Sequence, residues 1–333
     1  MIENLLQSTP SWINFLIYLG LGVIFLFVVL GFVTFGILSE RKVMGFMQGR
    51  IGPNQVGGRY GLLQTVADVL KLLLKEDTIP KAADKPLFIL APIIAFAPAF
   101  MVLATLPFTE NLQFADIGVG LLYYIAVSGL TTVGVVTAGW ASNNKYSLIG
   151  GMRAAAQMIS YEIPLVMSVL GVILLTGSLN LNDIVNAQDN VWFIVTQPIA
   201  FIVFLIAAVA ELNRTPFDLP EAESELVAGY HTEFSGFRWA FFMLSEYVYF
   251  FAMCSLITIL FLGGWKPIAG LDFIPGAVWF SLKFSVILYL LIWFRVTFPR
   301  LRADQLMEFG WKVLLPVSLA NILITALVKS LFF

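Results

Sequence analysis

Residues 13–38 read INFLIYLGLGVIFLFVVLGFVTFGIL, and no charge follows until Glu40, Arg41 and Lys42. A bilayer core about 30 Å thick is crossed by roughly 20 apolar residues in a helix, so this run is long enough to span. It lacks the cleavage pattern of a signal peptide, and the charged cluster after it reads as a stop at a membrane face. Seven further apolar runs lie near 87–107, 118–138, 159–177, 192–212, 239–262, 276–297 and 311–332. One apolar run can be a buried core helix, but eight cannot all find a core. The expected fold is all-α: a polytopic integral membrane protein of about eight transmembrane helices.

Composition agrees. The chain has 333 residues, of which 59% are hydrophobic and 12% charged, against about 25% charged in soluble proteins. A soluble enzyme is excluded on that ground. The net charge of −2 gives no basic field for nucleic acid. Cys254 is the single cysteine and His231 the single histidine. An iron–sulfur cluster or an ordinary metal cage needs several such ligands. A redox centre, if the protein works with one, is expected on another chain.

Lysine and arginine mark the cytoplasmic side. Segments 39–86, 139–158, 213–238 and 295–312 hold 8, 2, 2 and 4 basic residues, 16 of the 19. Those loops are expected to be cytoplasmic and both termini outside, consistent with an even number of spans. No internal repeat is evident, so residues 1–333 read as a single integral domain.

The first of these loops, 39–86, is more than a connector. Gln48-Gly49-Arg50-Ile51-Gly52-Pro53-Asn54 and Gly57-Gly58 are turn chemistry. From Tyr60 to Lys75 a helix is expected, with Gln64, Asp68, Lys71 and Lys75 on one stripe and Leu63, Val66, Leu70 and Leu73 on another. Such a helix lies in the membrane interface. It is either an anchor with a solvated face or the lip of a cavity, with Arg41, Arg50 and Asp68 facing an amphiphilic ligand.

Charges also fall inside the apolar runs. Glu162 lies near the start of the fourth, Glu211 ends the fifth, Glu246 is within the sixth, Lys283 is in the seventh and Arg295 closes it. A carboxylate at mid-bilayer costs about 2.5–3.5 kcal/mol. Lys283 and Arg295 are read as pairing or reaching for the interface. The three glutamates are read as a polar interior path able to exchange protons. The acidic loop 213–238 adds Asp218, Glu221, Glu223 and Glu225. It is either a solvated loop or a proton store whose crowded carboxylates titrate together.

Four blocks of sequence carry a family resemblance. The first is Glu40-Arg41-Lys42 through Gln48-x-Arg50-x-Gly52-Pro53-Asn54, with Gly61-Leu62-Leu63-Gln64, Ala67-Asp68, Lys71 and Lys75-Glu76. The second is Gly139-Trp140-Ala141-Ser142-Asn143-Asn144-Lys145-Tyr146 with Met152-Arg153-Ala154 and Ser160-Tyr161-Glu162. The third runs from Glu211 to Glu225 and on to Glu246-Tyr247, and the fourth is Pro299-Arg300-x-Arg302-x-Asp304-Gln305-Leu306-Met307 with Gly310-Trp311-Lys312. Together they resemble the H subunits of bacterial NADH:quinone oxidoreductase, respiratory complex I, equivalent to subunit 1 of the mitochondrial enzyme. Thr65 and Ala303 depart from the family's usual proline and tyrosine.

The resemblance implies eight spans and an interfacial helix beside a quinone chamber in the bacterial inner membrane. It assigns quinone contact to Arg41, Gln48, Arg50, Asp68, Phe217 and Arg295. It assigns a proton path to Asp218, Glu221, Glu223 and Glu225, continuing through Glu211, Glu162 and Glu246. Quinone is then a substrate. Iron–sulfur clusters and flavin sit on partner subunits, and the chain, with no redox centre of its own, couples quinone reduction to proton translocation. Two rival readings are the equivalent subunit of a membrane-bound hydrogenase or of an oxidoreductase fed by another donor, and a stand-alone proton-coupled transporter. The absence of inverted repeats weakens the latter.

Overall fold

The computed structural model describes residues 11–332 apart from 111, 190, 220–225 and 268–272. The described residues form helices and no strand, and the chain divides into two compact units, Met1–Val69 and Leu70–Phe333.

The first unit is built on α1, Ser11–Met47. It is longer than the apolar run because Glu40, Arg41 and Lys42 do not end it. Such residues are good helix formers, and the helix stops only where Gly45 accepts from the Arg50 amide at 2.9 Å. At 1.5 Å per residue α1 is about 55 Å long, well beyond the hydrocarbon core. The helix expected from Tyr60 begins instead at Gln64, as α2, Gln64–Leu74. A turn at Gly61 precedes it, with φ of +64° and with the place of a β-carbon 2.3 Å from the Pro53 carbonyl oxygen. Only glycine fits that point, and it sets where α2 starts. Thr65, which stands in place of the family's usual proline, donates its hydroxyl to the Thr34 carbonyl on α1 at 3.1 Å. The departure noted in the sequence therefore becomes a tie between α1 and α2. Leu63, Val66, Leu70 and Leu73 are all exposed, as an interfacial helix requires.

The second unit contains α3 (Lys85–Met101), α4 (Gly120–Ser128), α5 (Leu130–Ala141), α6 (Lys145–Thr176), α7 (Leu181–Asn186), α8 (Phe193–Thr196), α9 (Pro198–Glu211), α10 (Gly236–Phe261), α11 (Gly276–Thr297), α12 (Ala303–Phe309) and α13 (Leu315–Phe332). A π-helical turn, Gly310–Leu314, joins the last two. Seven stretches of the described chain are long and apolar enough to span a membrane, and α9 takes the place of the expected fifth span in shorter form. Its brevity has a local cause. Gln197 leaves helical geometry at φ −131° and ψ 55°, and Pro198 starts α9 afresh. The break is held by side chains. Gln197 donates to Thr325 at 2.8 Å and accepts from Asn321 at 2.9 Å, both on α13.

Packing between spans uses small residues, which let backbones approach. A β-carbon at Gly134 on α5 would lie 2.6 Å from the Ala95 nitrogen on α3. Beside that contact Phe88 stacks on Phe234 at 4.1 Å, with Phe242 closing the cluster.

Among the described residues, Lys283 is held by backbone carbonyls and one aromatic ring. Its ammonium donates to the carbonyls of Leu262, Gly264 and Lys266 at 2.6, 3.1 and 2.7 Å and lies 4.2 Å from the Trp192 ring centroid. It closes the end of α10, where helix carbonyls lack partners. Replacing Lys283 by methionine is expected to lower stability by about 2 kcal/mol with turnover per assembled complex unchanged. The half-life of activity on heating checks this.

Candidate functional site

In the first unit, α1 and α2 bring Arg41 and Asp68 together. The guanidinium donates to Asp68 at 2.5 Å, and the Gln64 amide holds the other Asp68 oxygen at 3.3 Å. Gln48 and Arg50 are exposed at the turn that ends α1. The pair is a polar station of the first unit. It combines a fork of donors with an adjacent acceptor.

In the second unit the glutamates of the apolar runs converge. Glu211 ends α9 and is 6% exposed. Tyr249 on α10 donates its hydroxyl to Glu211 Oε1 at 2.5 Å, and Oε2 has no hydrogen-bond partner among the described residues. Ser128, at the end of α4, lies within reach of the same carboxylate. The next residue, Gly129, is met by Glu162, whose Oε1 lies 3.3 Å from the place of a β-carbon there. The junction of α4 and α5 thus brings a hydroxyl, itself donated to the Ile125 carbonyl at 2.8 Å, near one carboxylate and gives room to a second.

Glu246 sits three residues before Tyr249 and so on the same face of α10. A cavity of about 60 Å³ is lined by Glu211, Asn213, Tyr230, Glu246 and Tyr249 among others, enough for about two waters. Arg214 pairs with one of these lining residues. It donates to Glu246 at 3.1 Å, and its guanidinium lies 4.0 and 4.8 Å from the ring centroids of Phe250 and Tyr247.

Asp218 lies outside the spans. It is buried and accepts from Arg300 at 2.8 Å. Burial raises its carboxyl above the ordinary range, against the pull of the Arg300 and Arg295 guanidiniums. His231 is nearby in sequence, but burial lowers its imidazole to about 4, so it stays neutral at cellular pH. Its ring lies edge-on to Tyr230 and Trp239.

The expected site residues therefore fall into distinct places. Glu162, Glu211 and Glu246 share one region, and Asp218 stands on Arg300 with Arg295 in electrostatic reach. Phe217 is buried against Tyr161 at 5.5 Å. Glu221, Glu223 and Glu225 lie outside the described residues. Sequence alone does not single out Tyr249, Ser128 or Arg214. The spacing Glu246-x-x-Tyr249, which puts both on one helix face, is the available signal for Tyr249.

Known proteins share this chain's sequence along nearly its whole length. The family described as NADH dehydrogenase matches residues 20–326. The H subunit of NADH-quinone oxidoreductase from Bacillus thuringiensis (strain Al Hakam) is 82% identical over 333 residues, all of both chains. The proteins of the same name from Bacillus cereus (strain AH187) and Bacillus anthracis (strain CDC 684 / NRRL 3495) show the same identity and coverage. With spanning helices, a carboxylate cluster at their heart and relatives that match from end to end, the chain belongs to the NADH dehydrogenase family.

Proposed function

We propose that this chain is the membrane-embedded H subunit of a proton-translocating NADH:quinone oxidoreductase. It contains no redox centre. It forms much of the chamber that admits quinone as substrate and the start of the proton path. Residues 1–333 act as one integral membrane domain in the bacterial inner membrane, with both termini on the outer side. Its partners are the other membrane subunits, the peripheral subunits carrying iron–sulfur clusters and flavin, and lipid. The names of the relatives favour an NADH-fed complex over a hydrogenase-type assembly.

The observation that carries the proton-path part is Glu211: a buried carboxylate with one oxygen on Tyr249 and a water-sized cavity shared with Glu246. A group in that position can take up a proton and pass it on when charge nearby changes. Reduction of quinone supplies that charge. The path would begin at Asp218, Glu221, Glu223 and Glu225 and run through Glu211, Glu162 and Glu246. Quinone contact is assigned to Arg41, Gln48, Arg50 and Asp68 in the first unit and to Phe217 and Arg295 in the second. Arg41 and Asp68 are supported by their pairing, a fork of donors next to an acceptor that suits a quinone headgroup.

Photoaffinity labelling of the intact complex with a quinone analogue tests the chamber. Label is expected in peptides covering residues 41–75, and an excess of unlabelled quinone should remove it. Label confined to other subunits would overturn the assignment. Purification tests the rival transporter reading, because the chain is expected to bring iron–sulfur subunits with it.

A further inference from the structure

Gln157 lies on α6 and is 1% exposed. Its Nε2 donates to the Ala210 carbonyl at 2.7 Å and to the Phe217 carbonyl at 2.7 Å. Two carbonyls facing one end of the amide fix which end is nitrogen, since oxygen there would meet two acceptors. A carboxamide has two N–H hydrogens, and both are committed. The carbonyls they hold belong to the residues immediately before Glu211 and Asp218. Those two residues are on different elements, one ending α9 and one in the loop beyond it.

The far ends of both acids are also fixed, Glu211 by Tyr249 and Asp218 by Arg300. One turn along α6 from Gln157, Tyr161 packs on Phe217 and donates to the Leu306 carbonyl at 2.9 Å. The same face of α6 therefore grips this loop twice. We propose that Gln157 is a positioning residue for the proton path: its carboxamide sets the spacing and orientation of Glu211 and Asp218 without touching either carboxylate. The proposal rests on the reading of those two acids as proton carriers.

Among the described residues, the charged groups around the bracket are Glu162 on α6, Glu211 on α9, Arg214 and Asp218 in the loop, Glu246 on α10, and Arg295 and Arg300 beyond. Gln157→Leu removes both donors at nearly constant volume. Gln157→Glu behaves differently. Ionised, it turns oxygen toward two carbonyls and pushes them apart. Protonated, it returns one donor.

The test uses inverted membrane vesicles containing the assembled complex. The initial rate of proton translocation driven by NADH oxidation is measured across a range of pH and normalised to the amount of assembled complex. Gln157→Leu is expected to lose about tenfold in translocation, equivalent to roughly 1.4 kcal/mol, with a displaced pH profile. Gln157→Glu is expected to recover toward the native value as pH falls. Native translocation and pH profile per assembled Gln157→Leu complex, even with less complex in the membrane, would reduce Gln157 to a scaffold role and overturn the proposal. If that variant does not assemble, Gln157→Glu decides, and a normalised activity independent of pH overturns the proposal.

Glu211→Gln and Asp218→Asn run in parallel. If both translocate normally, the carrier reading fails and takes the proposal with it. If both fail while Gln157→Leu is normal, only the proposal fails.

Discussion

Glu211→Gln is expected to reduce proton translocation on the order of a hundredfold, within the range for loss of a positioned acid–base group, while the complex still assembles. The substitution keeps shape and size. The glutamine oxygen can still accept from Tyr249, which in the native chain stands 2.5 Å from Glu211 Oε1. What disappears is the exchangeable proton at the cavity shared with Glu246. Acidification of vesicles by NADH oxidation, read with a pH-sensitive dye, measures the loss. Glu211→Asp is a useful companion, since it keeps a carboxyl but withdraws it from Tyr249 by one methylene. An intermediate value is expected there. Undiminished translocation in Glu211→Gln would remove Glu211 from the path.

Arg214→Met is expected to lower the amount of assembled complex. Arg214 is 4% exposed and lies between Glu246 and the faces of Phe250 and Tyr247. Arg214 is buried and Glu246 partly so, and removing the guanidinium costs about 2 kcal/mol, because the carboxylate loses its charged donor. Cation–π contact adds about 1 kcal/mol more. Lysine is not expected to rescue, since its point charge cannot stack flat on the rings as guanidinium does. The amount of complex in the membrane and its half-life on heating report the effect. The double variant Arg214→Met with Glu246→Gln should regain part of the loss, since the stranded carboxylate is gone. Heat stability equal to native in Arg214→Met would mean that the pair contributes nothing.

The spans were legible because hydrophobic run length is a direct readout of membrane thickness. Their ends were less so. Charge at Glu40 to Lys42 marks a membrane face, yet a helix can pass straight through it, and α1 does. The Gln197–Pro198 break shortened the fifth span in a way that an uninterrupted apolar run conceals. The glutamates stood out since charge is rare in such runs. Their partners did not, because Tyr249 and Ser128 are ordinary in a membrane helix until geometry puts a hydroxyl against an acid. Lys283 was legible as unusual but not in its role, since backbone carbonyls have no signature in sequence. Gln157 was silent for the same reason: both of its partners are backbone. The family resemblance supplied the function, while the residues alone left it open between a carrier-coupled pump and a transporter.

The bare row on α2 has a practical consequence for anyone taking the enzyme apart. Eleven residues rise about 16 Å, too few to be threaded through a bilayer. The helix therefore settles sideways on it. Val66, Leu70 and Leu73 are each about half exposed, and covering each with acyl chain gains roughly 1 kcal/mol. That hold needs no protein neighbour. Washing membranes with alkali or chaotrope to strip loosely held protein should leave this segment seated and sheltered from added protease.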